Sequence, residues 1–387
     1  MKKKKLLTLI GSICLSLVLA ALLLPACAPA VPEAEEVAEL EAELKAEKAK
    51  ASGLEDEVSD LEKEIAALRI PVTTHFEWKL QSCFCPGDHE AEIGIPSFVD
   101  FVEEETDGRL TIEYFYDGEI YAGEETLTAL GKGLTEMSGI DPTYLSGIEP
   151  ACDVWGGPPF SNLISPTYGD TYALQTMSPL SELWRDFVGG YNIRIVGTHT
   201  YGPYPLMCSN VPVRSNADWA GVKVRSYGCY AMLFEELGAS TVWIPGADQY
   251  EALMLGTINV ATWAFEAVED MHWNEVMDYL ILPGWCSEVG VTLVNNDAWE
   301  TLPSDIQDTI LLGQRQYARE SIDWYNACYQ RVQDRADEWG YEVIHMSDAD
   351  VDEMRQLTYD KVWPAMAELS PLSAEALEIV KDWYGLE

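Results

Sequence analysis

From Thr74 onward, strand-like and helix-like runs alternate along the chain, and this alternation constrains the fold more than any other feature. Residues 75–82 (HFEWKLQS) and 110–116 (LTIEYFY) alternate like strands, whereas residues 90–106 between them have helical spacing. Further strand-like runs lie at 191–199, 221–226, 240–245 and 258–264, and helix-like runs at 230–238, 247–256 and 266–280. Strands that alternate with helices over this length predict an α/β architecture built on parallel sheets.

A single helical pattern covers residues 304–339, where Gly313 is the only glycine and no proline occurs. A continuous helix of that length would be ~54 Å long, which is too long for one small domain and suits a brace across two. The 387 residues of the chain, 48% of them hydrophobic, also suggest two domains.

The first 26 residues have the composition of an export signal. MKKKK is followed by an apolar stretch over residues 6–24 and then by LPAC, which ends at Cys27. A small residue directly before the cysteine predicts cleavage of residues 1–26 and lipidation of Cys27. The alternative is an uncleaved membrane anchor, because about 19 apolar residues can just span a bilayer. Both interpretations place the remainder of the chain outside the cytoplasm.

Residues 27–72 predict a lipid-anchored spacer helix with a heptad pattern. Ten positions from Val37 to Leu68 are separated by alternating steps of three and four, and all of them except Glu47 are apolar. About 32 residues in helical conformation would make a rod of ~48 Å. The seam could join two copies in a parallel coiled-coil dimer, or the helix could be a single charged spacer. Either structure would hold the globular part away from the membrane.

The charge of the chain excludes nucleic acid as a partner. It has 65 acidic and 24 basic residues and a formal net charge of −41, whereas phosphate binding depends on Lys and Arg. One local arginine could still hold a small anion. Arg225 ends the strand-like run GVKVR, at a strand's carboxyl end, where α/β folds bind their ligands. Its guanidinium could hold a carboxylate through two parallel hydrogen bonds, although pairing with a surface acid is the alternative.

Residues 218–263 resemble a known family. The motifs GVKVR, LGAS and YEALMLGTIN, in this order, are similar to the central segment of the substrate-binding proteins of tripartite ATP-independent periplasmic (TRAP) transporters. TDGRLTIEYFYDGEI (106–120) resembles the family's second strand, and residues 282–310 resemble the segment that leads into its long helix. The resemblance covers roughly residues 76–345.

This resemblance implies a two-domain clamshell that closes on a small organic acid, with Arg225 pairing with the ligand carboxylate. It also implies delivery of the ligand to a TRAP membrane permease. We accordingly expect one domain from residues 73–199 with about 290–325, and a second from residues 200–289 with about 326–387.

PGW at 283–285 and Trp263 resemble the branch that binds 2-oxo or 2-hydroxy acids, some members of which hold a metal ion. At the two positions where that branch supplies metal ligands, this chain has Tyr204 and Thr262, and neither replaces a hard carboxylate donor well. We therefore predict no bound metal and no cofactor, and a more apolar pocket for a larger or aromatic carboxylate. Aromatic walls are expected from Trp263, Phe265, Tyr144 and Trp285, with ordinary core packing as the alternative for each.

Seven cysteines follow Cys27, an odd number that leaves at least one thiol without a partner inside the chain. Cys83, Cys85 and His89 lie close together and could suggest a metal site, but no second pair at zinc-motif spacing accompanies them. We instead predict that this segment is the first strand-to-helix loop and lines the cleft. Cys83 would then contact the ligand or form a disulfide.

The sequence gives little support to an exported enzyme, the alternative function. It contains no Gly-x-Ser-x-Gly elbow, no phosphate-binding glycine loop and no His-Glu-x-x-His motif, and its five histidines are isolated. Acid pairs such as Glu266 with Glu269 could serve acid–base chemistry, but on so acidic a surface we expect them to be solvated. The prediction is a binding protein without catalytic activity.

Overall fold

The computed structural model describes residues 74–160 and 168–386. The predicted export signal, the lipidation site Cys27 and the spacer helix over 27–72 lie outside the described residues. Within the described part, none of the helices combines the length and the apolar character that crossing a membrane would require.

The strands of the described residues form two sheets. The first sheet has five strands in the order β2-β1-β3-β10-β4, and the second has six in the order β11-β9-β5-β8-β6-β7. The strands are β1 (Phe76–Ser82), β2 (Leu110–Phe115), β3 (Met137–Ile140), β4 (Ile193–Tyr204), β5 (Leu206–Ser209), β6 (Lys223–Arg225), β7 (Ser240–Val242), β8 (Val260–Trp263), β9 (Tyr279–Leu282), β10 (Cys286–Asn295) and β11 (Glu342–His345).

Both sheets are mixed, whereas the sequence pattern predicted parallel sheets. β1 pairs in parallel with β2 and β3, and β6 pairs in parallel with β7 and β8. β10 runs antiparallel to β3 and β4, and β5 runs antiparallel to β8 and β9. The antiparallel strands arise where the chain passes directly from one sheet to the other, from β4 to β5 and from β9 to β10, without a helix between them.

The α-helices lie between and after these strands. They are α1 (Ile95–Glu105), α2 (Thr126–Gly131), α3 (Cys152–Gly156), α4 (Tyr168–Met177), α5 (Leu180–Gly189), α6 (Gly228–Glu236), α7 (Gln249–Met254), α8 (Asn296–Thr301), α9 (Ser304–Asp334), α10 (Ala336–Trp339), α11 (Asp348–Leu357), α12 (Trp363–Leu369) and α13 (Pro371–Tyr384).

The long helix predicted over residues 304–339 is present as α9, and only Arg335 separates it from α10. Its glycine has a packing reason. A Cβ atom on Gly313 would lie 2.8 Å from the Phe101 ring of α1, so the absence of a side chain lets the two helices approach closely. α9 packs on β4 and also on the turn Phe265–Val268 that follows β8, and it thus contacts segments that extend from both sheets.

The helix predicted over residues 266–280 is wrong. The segment forms short 3₁₀ turns at Phe265–Val268 and Trp273–Glu275 and ends in strand β9. His272 has a positive φ of 58°, a left-handed conformation that no α-helix can continue through.

β4 and β10 cross the predicted domain boundaries. They pair antiparallel from Ile193 opposite Asn295 to Tyr204 opposite Cys286. Each remains one continuous strand through the positions where the domains were expected to meet, near residues 199 and 290. The domain limits therefore stay a prediction. The paired strands β4 and β10 belong to the first sheet, and the chain passes between the two sheets at their ends near Tyr204 and Cys286.

Candidate functional site

A cavity of about 30 Å³ lies where parallel strands of both sheets end. Cys83 and Phe84 follow β1, Asp141 follows β3, Arg225 ends β6, and Trp263 ends β8. This is the edge at which α/β sheets bind ligands, and the cavity has room for about two water molecules. The lining side chains are Cys83, Phe84, Asp88, Asp141, Tyr144, Tyr201, Tyr204, Arg225, Tyr227, Trp263, Ala264, Glu266, Glu288 and Tyr325.

Arg225 is fully buried in this lining. Its Nε donates to the Ile244 carbonyl at 3.0 Å and its Nη1 to the Thr262 carbonyl at 3.2 Å, which fixes the plane of the guanidinium. Nη2 has no hydrogen-bond partner, and no ion pair joins Arg225 to any carboxylate of the described residues. The free N–H groups of Nη1 and Nη2 lie on one edge of the guanidinium, the arrangement that binds a carboxylate through two parallel bonds.

Three aromatic rings surround the guanidinium. The Cζ atom of Arg225 lies 4.5 Å from the ring centre of Trp243, 5.0 Å from that of Tyr227 and 5.3 Å from that of Trp263. Ring faces stabilise a cation and exclude water, but they do not satisfy its N–H groups. The site therefore presents a desolvated positive charge with hydrogen-bonding capacity unused.

Tyr204, Tyr144 and Cys83, which the sequence suggested for the site, line the cavity. The Tyr204 hydroxyl hydrogen-bonds to that of Tyr227 at 2.8 Å, and the Cys83 sulfur accepts from the Asp141 N–H at 3.2 Å. Burial raises the pKa of the Cys83 thiol well above its usual value, so it is neutral. Cys83 is a free thiol, and so are Cys85, Cys152, Cys208 and Cys328.

Three other predicted site residues do not line the cavity. The Thr262 hydroxyl donates to the Arg225 carbonyl at 2.8 Å, so Thr262 holds the arginine's backbone and not the ligand. Phe265 is fully buried and packs edge-on against Tyr329. Trp285 is fully buried and its ring centre lies 4.9 Å from that of Phe234. For these two aromatics the structure shows core packing, the alternative that the sequence left open.

Asp88 and Glu266 form one acidic side of the cavity, which the sequence analysis did not identify. Asp88 accepts from the Glu90 N–H at 2.9 Å and from Trp263 Nε1 at 3.2 Å, and burial raises its pKa to about 7. Glu266 is only 1% exposed, and its Oε2 has no hydrogen-bond partner. Burial raises its pKa well above the usual carboxyl range, with a further increase from Asp88. The expected solvation of Glu266 is therefore wrong, and Glu269 pairs with Arg331.

Asp141 and Glu288 form a second acidic side. Thr143 donates to Asp141 from its backbone N–H at 2.8 Å and from its hydroxyl at 2.7 Å. Tyr227 donates its hydroxyl to Glu288 at 3.1 Å, and the two carboxyls hydrogen-bond to each other. Burial raises the pKa of Asp141 to about 6 and that of Glu288 well above its usual value. A proton on one of the two carboxyls would remove the repulsion between them.

A metal ion does not fit the residues present. No group of three or more His, Cys, Asp or Glu side chains in the described part of the chain is arranged to hold one. Of the cluster considered in the sequence, His89 stacks on Trp324 at 3.4 Å between ring centres, and Cys83 accepts a backbone hydrogen bond. Tyr204 and Thr262, at the positions of the expected metal ligands, are bonded to Tyr227 and to the Arg225 backbone.

The positions of the buried acids in the sequence could have identified them, but they did not stand out among the many acidic residues of the chain. Asp141 and Glu266 follow buried strands β3 and β8 within three residues, the same position relative to a strand end that identified Arg225. Asp88 lies in the loop after β1, and Glu288 lies inside β10 among apolar residues. A carboxyl just after the end of a buried strand lies at the ligand-binding edge of the sheet, as Arg225 does.

The fold and the cavity define a solute-binding protein of the two-sheet type. The sequence profile of bacterial extracellular solute-binding protein family 7 matches residues 85–369, which is most of the chain. The chain belongs to this family, and the resemblance to TRAP substrate-binding proteins is confirmed.

Relatives and solved structures agree with this assignment. The chain is 24% identical to a monocarboxylate 2-oxoacid-binding periplasmic protein of Nostoc over 69% of its length and 73% of the relative. It is 22% identical to the C4-dicarboxylate-binding periplasmic protein of Rhodobacter capsulatus, over 74% of its length and 82% of the relative. A TRAP solute-binding protein of Bordetella bronchiseptica, solved with calcium and picolinate, matches 81% of this chain and 93% of its own with a TM-score of 0.72 and 22% identity. These proteins bind solutes for transport, which supports a binding role outside the cytoplasm at the level of the family.

Proposed function

We propose that this protein captures a small organic acid in the cavity around Arg225 and delivers it to the membrane permease of a TRAP transporter. The observation that carries the proposal is the buried guanidinium whose Nη2 has no partner. A buried charge without a counter-ion is costly, and a ligand carboxylate would supply both the charge and the acceptors. The relatives named for 2-oxoacids and C4-dicarboxylates support this ligand class.

Arg225 binds the carboxylate in this proposal, and its neighbours keep it in position. The carbonyls of Ile244 and Thr262 hold two of its five N–H groups, and the edge formed by Nη1 and Nη2 faces the ligand. The rings of Tyr227, Trp243 and Trp263 keep water away, which strengthens the pair because the local dielectric constant is low. The binding energy comes mainly from this one desolvated pair.

Hinge closure is the proposed route to the bound state. Residues that follow strands of both sheets meet around the cavity, and a space of about 30 Å³ is too small for most organic acids. A ligand can therefore enter only when the two groups of strands move apart, and they close on it afterwards. The proposed moving parts are residues 73–199 with about 290–325, and residues 200–289 with about 326–387.

In the proposed function the N-terminal segment attaches the protein to the membrane. Lipidation at Cys27 would anchor the protein to the membrane, and the spacer helix over 27–72 would hold the binding part near the permease. Whether two copies associate through the heptad seam can be measured by analytical ultracentrifugation of the chain with and without residues 27–72.

A thermal-shift comparison of acids with their amides tests the proposed function. The wild-type protein is melted with 2-oxo acids, C4-dicarboxylates and aromatic carboxylates such as picolinate, and with the primary amide of each. At 100 times its dissociation constant a bound acid stabilises by about 2.7 kcal/mol, which raises the melting temperature of a protein of this size by roughly 4 °C. The amide should have no effect, because it carries no charge for Arg225. Equal shifts by acid and amide, or no shift by any acid, would contradict the proposal.

A further inference from the structure

The cavity has more acidic than basic side chains. Among the described lining residues Arg225 is the only basic one, and four carboxyl side chains share the lining with it. Each of the four is less than a tenth exposed. A purely anionic ligand would satisfy the arginine but would give these carboxyls no cationic partner and would disfavour their ionised forms further. The four are Asp88, Asp141, Glu266 and Glu288.

Three of these carboxyls already have protein partners. Asp88 accepts hydrogen bonds from the Glu90 backbone and from Trp263, and Asp141 accepts two from Thr143. Glu288 accepts from the hydroxyl of Tyr227. Their positions are explained by these contacts.

Glu266 is different. Its Oε2 is buried without a hydrogen-bond partner, in a side chain that is 1% exposed and lines the same cavity as Arg225. Leaving a buried carboxyl oxygen unsatisfied is costly. Besides the hydroxyls of Tyr201 and Tyr325, the described lining contains two unused groups from ionisable side chains of opposite character, the donor Nη2 of Arg225 and the acceptor Oε2 of Glu266. Trp263 packs near the guanidinium and donates its Nε1 to Asp88, which is one of the charged groups that act on Glu266.

We propose that the ligand is a zwitterion, a small amino acid whose carboxylate binds Arg225 and whose ammonium group binds Glu266 against the surrounding aromatic rings. This inference rests on the proposed function and narrows its ligand class. An ammonium group needs acceptors and ring faces, which the cavity offers through Glu266 Oε2 and through the rings of Trp263 and Tyr325. A metal ion needs three or more converging donors, which the described residues do not form.

Binding of an ammonium group should release a proton. Burial raises the pKa of Glu266 well above its usual range and so favours the protonated form, whereas a positive charge beside it favours the ionised form, and ammonium binding therefore displaces the proton to solvent. Other ionisable groups around Glu266 contribute to the same equilibrium. They are Asp88 and Glu90 from the segment after β1, Cys85 from the same loop, Asp270 from its own segment, and Tyr325 and Cys328 from α9.

Matched pairs of ligands test this inference. Amino acids with the amino group on the second, third or fourth carbon are compared with the hydroxy acids and oxo acids of the same skeleton, in thermal melts and in isothermal titration calorimetry. Titration in two buffers of different ionisation enthalpy gives the number of protons released. The expected result is an amino acid that binds at least tenfold more tightly than its hydroxy and oxo counterparts and releases about one proton per ligand.

Glu266→Gln and Glu269→Gln form the variant pair. Glu266→Gln should weaken the amino acid at least tenfold, abolish the proton release and leave hydroxy acids unaffected. Glu269→Gln is the control, because Glu269 pairs with Arg331 and is not part of the cavity lining. If Glu266→Gln fails to fold, the proton count on the wild-type protein still decides.

Each outcome has a separate meaning. Tighter binding of the hydroxy or oxo acid, or amino-acid binding without proton release, overturns the zwitterion and leaves the proposed function intact. Calcium that is required for binding identifies the missing cation as a metal ion and also overturns the zwitterion. A protein that binds none of these carboxylates contradicts the proposed function itself.

Discussion

Two arginines of the same part of the chain, Arg214 and Arg225, have opposite environments. Arg214 is half-exposed and binds both carboxylate oxygens of Glu342, at 2.6 and 2.9 Å. Arg225 is fully buried, with two backbone carbonyls and three aromatic rings around it and no paired carboxylate among the residues that the structure describes. In a chain with 65 acidic residues an exposed arginine readily finds a partner. The comparison shows that burial and the surrounding rings keep Arg225 from pairing with one of the many acidic residues. A binding site for an external anion requires such a cation without an internal counter-ion.

Removing each arginine gives the largest expected difference. Arg225→Ala should weaken ligand binding by about 2 to 5 kcal/mol, because it removes a desolvated charge pair. Arg214→Ala should leave affinity unchanged, since its ion pair lies on the surface, away from the cavity lining. Titration calorimetry with the best ligand of the thermal screen measures both. A loss below about 1 kcal/mol for Arg225→Ala, the range of an exposed pair, would remove the distinction between the two arginines.

The pH dependence of stability separates the buried acids from the surface pairs. The pKa of Asp88 is raised to about 7 in the folded protein, so the native state binds more protons than the unfolded state between pH 4 and 7. The free energy of unfolding should therefore fall as pH rises, by about 2 to 3 kcal/mol between pH 5 and 8 from Asp88 alone.

Surface pairs act in the opposite direction, because Arg214 lowers the pKa of Glu342 through its hydrogen bonds and its contribution is lost only in acid. Urea denaturation from pH 4 to 8 measures the balance. A stability that rises steadily over pH 5 to 8 would mean that the buried carboxyls are ionised and stabilised in the folded protein.

The exclusion of water around Arg225 can be tested at Trp243. This ring lies 4.5 Å from the guanidinium Cζ and is 44% exposed, so it covers the charge from the solvent side. Trp243→Ala should weaken binding by about 1 to 2 kcal/mol through loss of the ring face and admission of water, while the melting temperature without ligand changes little. Trp383→Ala is the control, because it removes a ring of similar exposure that does not contact the Arg225 guanidinium. Equal affinities in the two variants would show that shielding does not strengthen the pair.

Salt gives the smallest expected effect. At ~1 M salt the screening length is ~3 Å, which weakens the exposed pair of Arg214 with Glu342 far more than a buried pair. Any destabilisation by Arg214→Ala should disappear at that salt concentration, whereas the binding defect of Arg225→Ala should persist. Melting curves and titrations at low and high salt test this, and a binding defect that vanishes in salt would indicate that the site is open to solvent.

The sequence predicted much of the fold, and its failures have physical causes. The runs that became β1, β2, α1 and α9 had clear periodicity, and the structure has strands and helices there. The segment over 266–280 failed because one left-handed residue, His272, breaks a pattern that otherwise has helical spacing. The mixed pairing was missed because the order of strands within a sheet depends on which segments pass between sheets, and local periodicity does not report that.

The sequence analysis identified the arginine of the candidate site but not its buried carboxyls. Arg225 stood out because basic residues are rare here, whereas Glu266 and Glu288 were indistinguishable by type from the many acids on the surface. For the aromatics, hydrophobicity alone could not separate Trp263, which lines the cavity, from Trp285, which packs in the core. That choice depends on which face of each strand is turned towards the cavity.

The small volume of the cavity has a kinetic consequence. The cavity around Arg225 has room for about two water molecules, which is less than an organic acid needs. Under the proposed hinge closure, ligand exchange requires the two sheets to move apart, so the observed association rate should reach a plateau as solute concentration increases. The rate of this opening would then set the rate of ligand exchange. A partner that accelerates the opening would control when the ligand is released.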